Sequence, residues 1–137
     1  MHATQFLDSD LSDEVPIPGI YVSTITTARM RSSQSGNAMV HIVHTIEGVP
    51  PAHDRVSEYF VLEGASTRGL AVSRRRLVEL FRACGLTPRP SEEIAPARLQ
   101  GARLRVKVEH EEWKSELHLR VVAHLPLTDK PEEPAPF

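Results

Sequence analysis

With 137 residues, 40% of them hydrophobic, and a net charge of −2, the chain is the size of one ordinary domain with a real core. It contains no run of about 18 apolar residues and no basic start leading into an apolar stretch, so neither a membrane span nor a secretory signal is expected. The single Cys84 forbids an internal disulfide, which together with the missing signal points to a bacterial-type cytosol or its viral equivalent.

The charge is segregated along the chain. Residues 1–15 carry Asp8, Asp10, Asp13 and Glu14 without a Lys or Arg, and residues 126–137 carry Asp129, Glu132 and Glu133 against Lys130. The body between them, residues 16–125, holds fifteen basic and eleven acidic side chains, a balance of +4. A basic body between acidic ends suits a polyanion-binding surface, while charges scattered without purpose over a wet surface would look much the same.

Residues 1–15 are polar and aperiodic and read as a disordered acidic segment. From Gly19, "GIYVSTITTARM" and "AMVHIVHTIEG" are β-branched runs separated by "RSSQSGN", a hairpin with a flexible loop. "RVSEYFVLE" alternates again as a third strand, placing Val56, Phe60 and Leu62 inward beside Val40 and Ile42. The period then becomes helical, with Leu77, Leu80, Phe81 and Cys84 on one face, Ser73 or a residue one turn earlier as the cap, and Gly85 at the end. "ARLRVKVEH" and "ELHLRVVAHL" return to period two, pointing Leu104, Val106, Val108, Leu117, Leu119 and Val121 inward across the turn "EEWKS".

The order β-β-β-α-β-β predicts an all-β protein with one helix, laid out as an OB-fold: a five-stranded, partly open barrel with the helix plugging one end. A five-stranded sheet with the helix across one face fits the same pattern. The domain is assigned to residues 16–125, with residues 126–137 as an acidic Pro-rich tail.

Catalytic constellations are weak, so the chain is not read as an enzyme and no cofactor or metal is assigned. Cys84 falls on the apolar helical stripe. His41 and His44, three apart on a strand, face opposite ways. His110 with Glu109, Glu111 and Glu112 could ligate a divalent ion at a hairpin end, but four titratable groups in a row at a turn are more often just wet.

Binding chemistry is better represented. Met39, His41, Arg55 and Tyr59 form the outward row of strands two and three, where bases can stack on rings while cations follow phosphates. The alternative for Tyr59 is to cover a neighbouring strand. Trp113 with Lys114 at the last hairpin offers a second stacking platform, unless the indole folds under the rim. Arg29 and Arg31 flank the first loop, and Arg103, Arg105 and Lys107 form a basic stripe that Arg120 extends, a pattern that also serves solubility alone. "RRR" at 74–76 reads as a solvated helix face. These ten residues, Arg29, Arg31, His41, Arg55, Tyr59, Arg103, Arg105, Lys107, Trp113 and Lys114, are the expected nucleic-acid contacts.

The stretches "GIYVSTITTARMRSSQSGNAMVHIVHTIEG", "RRLVELFRACGL" and "LQGARLRVKVEHEEW" resemble those of phage-encoded single-strand-DNA-binding-like OB-fold proteins. That resemblance implies sequence-tolerant binding of single-stranded DNA in phage or prophage replication or recombination, in the cytoplasm of a bacterial host or phage-infected cell, with self-association into a homo-oligomer. The ending "DKPEEPAPF" is similar to the acidic Pro-Phe ends of single-strand-binding proteins. The similarity implies a docking peptide for replication or recombination proteins, with Glu132, Glu133, Pro136 and Phe137 as contacts. The rival expectation is an OB-like protein-interaction module, an adaptor that ignores nucleic acid.

Overall fold

A computed structural model describes residues 15–128, and the expectations for the N-terminal segment and for Glu132, Glu133, Pro136 and Phe137 lie outside the described residues. Strands β1 (Gly19–Ser32), β2 (Ala38–Ile46) and β3 (Arg55–Val61) precede helix α1 (Thr67–Ala83), and β4 (Arg103–Trp113) and β5 (Glu116–Leu125) follow it. The β-branched and alternating runs become strands because one face of each can be buried, and every neighbouring pair is antiparallel. The hydrogen-bonded order is β3-β2-β1-β4-β5, so the protein is mostly β with one helix and a five-stranded antiparallel sheet. Its backbone ladder leaves β3 and β5 as edges and does not run closed around a barrel.

Two bulges set which side chains face inward. In β1 the pairing steps from Ile25 opposite His44 to Thr27 opposite Val43, leaving Thr26 as the extra residue. The inward parity therefore passes from Ser23 and Ile25 to Ala28, all buried. The distant Gln100 stabilises this break, since its Oε1 accepts from Ala28 N at 3.0 Å and its Nε2 donates to Thr26 O at 2.8 Å. Backbone groups that the bulge removes from the ladder thus keep partners. In β5, Val108 faces Val121 while Lys107 faces Ala123, so Val122 is the surplus residue and His124 turns inward after Val121.

The core gathers Ile25, Val40, Ile42, Phe60, Leu104, Val106 and Val108 from the sheet with Leu77, Leu80 and Phe81 from α1 and Leu99 from the connector. The helix begins earlier than the apolar stripe suggests. Ser66, not Ser73, is the cap, and its hydroxyl accepts from Gly69 N at 3.0 Å. Gly85 follows the helix with φ +83°, the left-handed ending that glycine permits without strain. Cys84 is half-buried against the core, and burial pushes its thiol up to about 11.

The last hairpin also departs from expectation. β4 continues through Trp113, and the turn is only Lys114 and Ser115, with φ 53° and 65°. Positive φ at both central residues is the geometry of a tight two-residue hairpin turn. Every residue from Glu109 to His118 is exposed, so the hairpin reaches past the core and Leu117, expected inward, stands 44% exposed.

Candidate nucleic-acid interface and a buried ionic network

The register aligns the expected contacts in rows across the outer face. Arg29 pairs with His41, and His41 with Tyr59, so β1, β2 and β3 each contribute one residue to one row. A second row runs Arg103, Thr24, Thr45 and Arg55 across β4, β1, β2 and β3. Arg29, Arg31 and Arg55 are exposed, and Tyr59 is 49% exposed with its ring stacked on His41.

His41 faces outward as the alternation predicts, but its neighbours shield it. It lies on the outer side but is only 7% exposed, covered by Tyr59 and approached by Arg31 Nη1 at 3.5 Å and Ser57 Oγ at 3.4 Å. Burial, then Arg31 and Arg29, lower its pKa below the ordinary 6.5. The imidazole is therefore a neutral underlay for Tyr59 at neutral pH, and the positive charge of this wall comes from the arginines.

The β4 stripe is partly engaged already. Arg103 donates to Glu47 at 2.8 Å, and Arg105 Nε donates to Pro126 O at 2.9 Å, while Lys107 is exposed. Arg120 faces Glu109 in the register and comes within 3.8 Å of Glu111, so it does not extend a purely basic stripe. At the hairpin end Trp113 is 60% exposed, with Lys114 Nζ 4.5 Å from its ring centroid and His118 against its edge. His110, considered with its acidic neighbours as a weak metal candidate, instead contacts Pro16 O at 2.7 Å.

The triple-arginine run divides. Arg74 and Arg75 are exposed, but Arg76 turns back to donate to Glu58 at 2.8 Å and to Val121 O at 3.3 Å, with its guanidinium 5.4 Å from the Phe60 ring centroid. Glu58 is inward on β3 and 6% exposed. Its Oε2 also meets His44 Nε2 at 2.6 Å and His124 Nε2 at 2.8 Å. His124 Nδ1 is held by Glu79 Oε1 at 3.1 Å, and His44 Nδ1 by Ser23 Oγ at 3.0 Å. One hydrogen-bonded network thus joins β1, β2, β3, β5 and α1.

Burial alone would raise the pKa of Glu58, but hydrogen bonds and charges from His124 and His44 together hold it down to about 2. For His124, burial works toward a lower value and is outweighed by Glu58 and Glu79, so its pKa is raised. Both ring nitrogens of His124 face carboxylates, which suits a cation. Ser23, His44 and Glu58 also line up as a hydroxyl-imidazole-carboxylate series, yet Ser23 and His44 are each 0% exposed, which leaves the hydroxyl no path to a substrate.

Sequence reading missed this network because its members look ordinary. His44 and Glu58 sit at inward positions of alternating strands, a visible cue for two buried polar partners. His124 gives no such cue, since an unbroken period of two from Val121 would turn it outward. Among the described residues no helix is long and apolar enough to cross a membrane. No protein-family model and no curated protein matches the chain.

Proposed function

We propose that this protein binds single-stranded DNA with little sequence preference, using the outer face of β1, β2 and β3 and the Trp113 hairpin. The observation that carries the reading is the Tyr59 ring, 49% exposed and backed by His41, with Arg29 and Arg31 on the far side of His41 along β1. A base can stack on such a ring while guanidinium groups hold the flanking phosphates, and neither contact depends on base identity. Trp113 with Lys114 repeats the pairing of ring and cation at the far hairpin.

The same reading takes the fold as a partly open OB-type barrel. Its support is the strand order, the helix between β3 and β4, and the Glu58 to His124 contact that brings the two sheet edges within side-chain reach. In that fold the face of strands two and three and the loop between strands four and five are the common ligand surface, which is where Tyr59 and Trp113 lie. A setting in phage or prophage replication or recombination, in the cytoplasm and as a homo-oligomer, belongs to this proposal.

Fluorescence anisotropy of labelled oligo-dT, titrated with the full chain at two salt concentrations, tests it. Binding that weakens with salt is expected, because phosphate contacts release counterions. A flat titration at micromolar protein would overturn the reading and favour an adaptor that ignores nucleic acid.

A further inference from the structure

Two imidazole rings and one carboxylate, each from a different strand, meet in the interior next to the β5 bulge. His44 Nε2 and His124 Nε2 approach the same oxygen, Glu58 Oε2, at 2.6 and 2.8 Å, and one donor atom from each residue lies within 4.8 Å of the other two. All three residues are buried.

The groups behind these three are as informative as the three themselves. Ser23 Oγ fixes His44 Nδ1 at 3.0 Å, Glu79 Oε1 fixes His124 Nδ1 at 3.1 Å, and Arg76 occupies the other oxygen of Glu58 at 2.8 Å. Each ring is thereby turned so that its Nε2 points to a common centre. Metal sites are organised in this way, with each ligating imidazole oriented by a hydrogen bond from its second nitrogen, often to a carboxylate.

We propose that His44, Glu58 and His124 bind one divalent transition-metal ion of the zinc class, which staples β2, β3 and β5 together. Two imidazoles and one carboxylate suit zinc and its neighbours and do not suit magnesium or calcium, which require mostly oxygen ligands. Tetrahedral zinc, with bonds of about 2.0–2.1 Å to nitrogen, separates its ligands by about 3.3 Å. The observed 2.6 and 2.8 Å spacings therefore open by about 0.5–0.7 Å as the ion replaces the shared protons. When His44 Nε2 takes the metal, its Nδ1 carries the proton and the Ser23 hydroxyl accepts it. A cleft of about 290 Å³ between α1 and the end of β5, lined by Val78, Glu79, Arg82, Pro126 and His124, approaches the site on its His124 side.

The test uses the full chain, stripped with chelator and titrated with zinc chloride by calorimetry, and with cobalt chloride followed by visible absorption. One equivalent of zinc and the intense bands of tetrahedral cobalt are expected. His44→Gln and His124→Gln each remove the cobalt bands, and the surface double variant His110→Gln/His118→Gln keeps them. Glu79→Gln, at an exposed helix position, keeps the fold by circular dichroism and weakens zinc binding about 10- to 100-fold. The absence of stoichiometric zinc binding overturns the proposal, as does binding that survives both buried-histidine changes or disappears in the surface variant. Should His44→Gln or His124→Gln fail to fold, unchanged zinc affinity in Glu79→Gln overturns it on its own. No nucleic acid enters this experiment, so its outcome is independent of the DNA-binding reading.

Discussion

Tyr59 and His41 lie face to face across β3 and β2, with ring centroids 4.5 Å apart and planes only 4° from parallel. The buried imidazole fixes the phenol flat against the sheet and leaves its outer face in water, where the proposed function has a base stack. Replacing Tyr59 by Ala is expected to weaken oligo-dT binding by about 1–3 kcal/mol, the usual effect of one lost base-stacking ring. Stability should change little, because half of the side chain is already in water. Anisotropy titration and thermal melting of the same variant separate the two effects.

His41 also gives the wall a pH dependence. Burial, Arg31 and Arg29 lower its folded pKa, so protonation is disfavoured relative to the unfolded chain at 6.5. For a base with a lowered pKa, the associated stability is present above 6.5 and is lost as pH falls below it. A phosphate seated between Arg29 and Arg31 opposes that shift and favours the charged ring. DNA binding should therefore tighten as pH is lowered from about 8 to about 5.5, and His41→Asn should flatten the dependence. Titrations at matched ionic strength measure it.

Trp113 extends on a hairpin whose residues from Glu109 to His118 are all exposed. Trp113→Ala should leave the melting temperature nearly unchanged, within about 0.5 kcal/mol, since surface positions without buried partners tolerate truncation. Its intrinsic fluorescence should be quenched when oligo-dT binds to the unmodified chain. Unquenched emission at saturating DNA would remove the hairpin from the interface.

Glu58 is the shared partner of two buried histidines and Arg76. Glu58→Gln keeps the shape and removes the negative charge, leaving Arg76 without its carboxylate and His124 with Glu79 alone. Breaking a buried ion pair from one side costs about 3–5 kcal/mol, so a large drop in the denaturation midpoint is expected. Chemical denaturation of the metal-free chain measures it.

Gln100 offers a more local check. Its amide satisfies both Ala28 N and Thr26 O at the β1 bulge. Gln100→Leu orphans a backbone donor and an acceptor and should destabilise the chain by about 1–3 kcal/mol. Hydrogen exchange should show the loss first at Ala28.

The parts of this molecule that alternate regularly were legible in the sequence, and the parts that depend on breaking alternation were not. Val40, Ile42, Val56, Phe60, Leu104, Val106 and Val108 face inward as period two dictates. Arg55 and Tyr59 follow on the opposite face by the same rule, whereas Arg29 and Arg31 reach it only because the Thr26 bulge shifts the parity of β1. His41 obeyed the rule for direction, but exposure depends on the neighbour stacked over it, and cross-strand register was not visible. The helix start was misplaced because its first two turns carry few apolar residues, so the stripe begins well after the Ser66 cap. Arg76 looked solvated beside Arg74 and Arg75, since its buried partner Glu58 is eighteen positions away on another element.

Val122 works as a phase shifter between two programmes written on one strand. Before it, β5 follows the beat of the exposed hairpin, and after it the beat is offset so that a histidine replaces a hydrophobe at the interior position. Deleting this one valine would straighten the strand and leave Val121 and His124 on one face by plain alternation, opposite Val108 and Val106, so His124 would keep its inward side. With Val122 in place, Val121 and His124 are three positions apart and share a face only because β5 breaks its alternation between them.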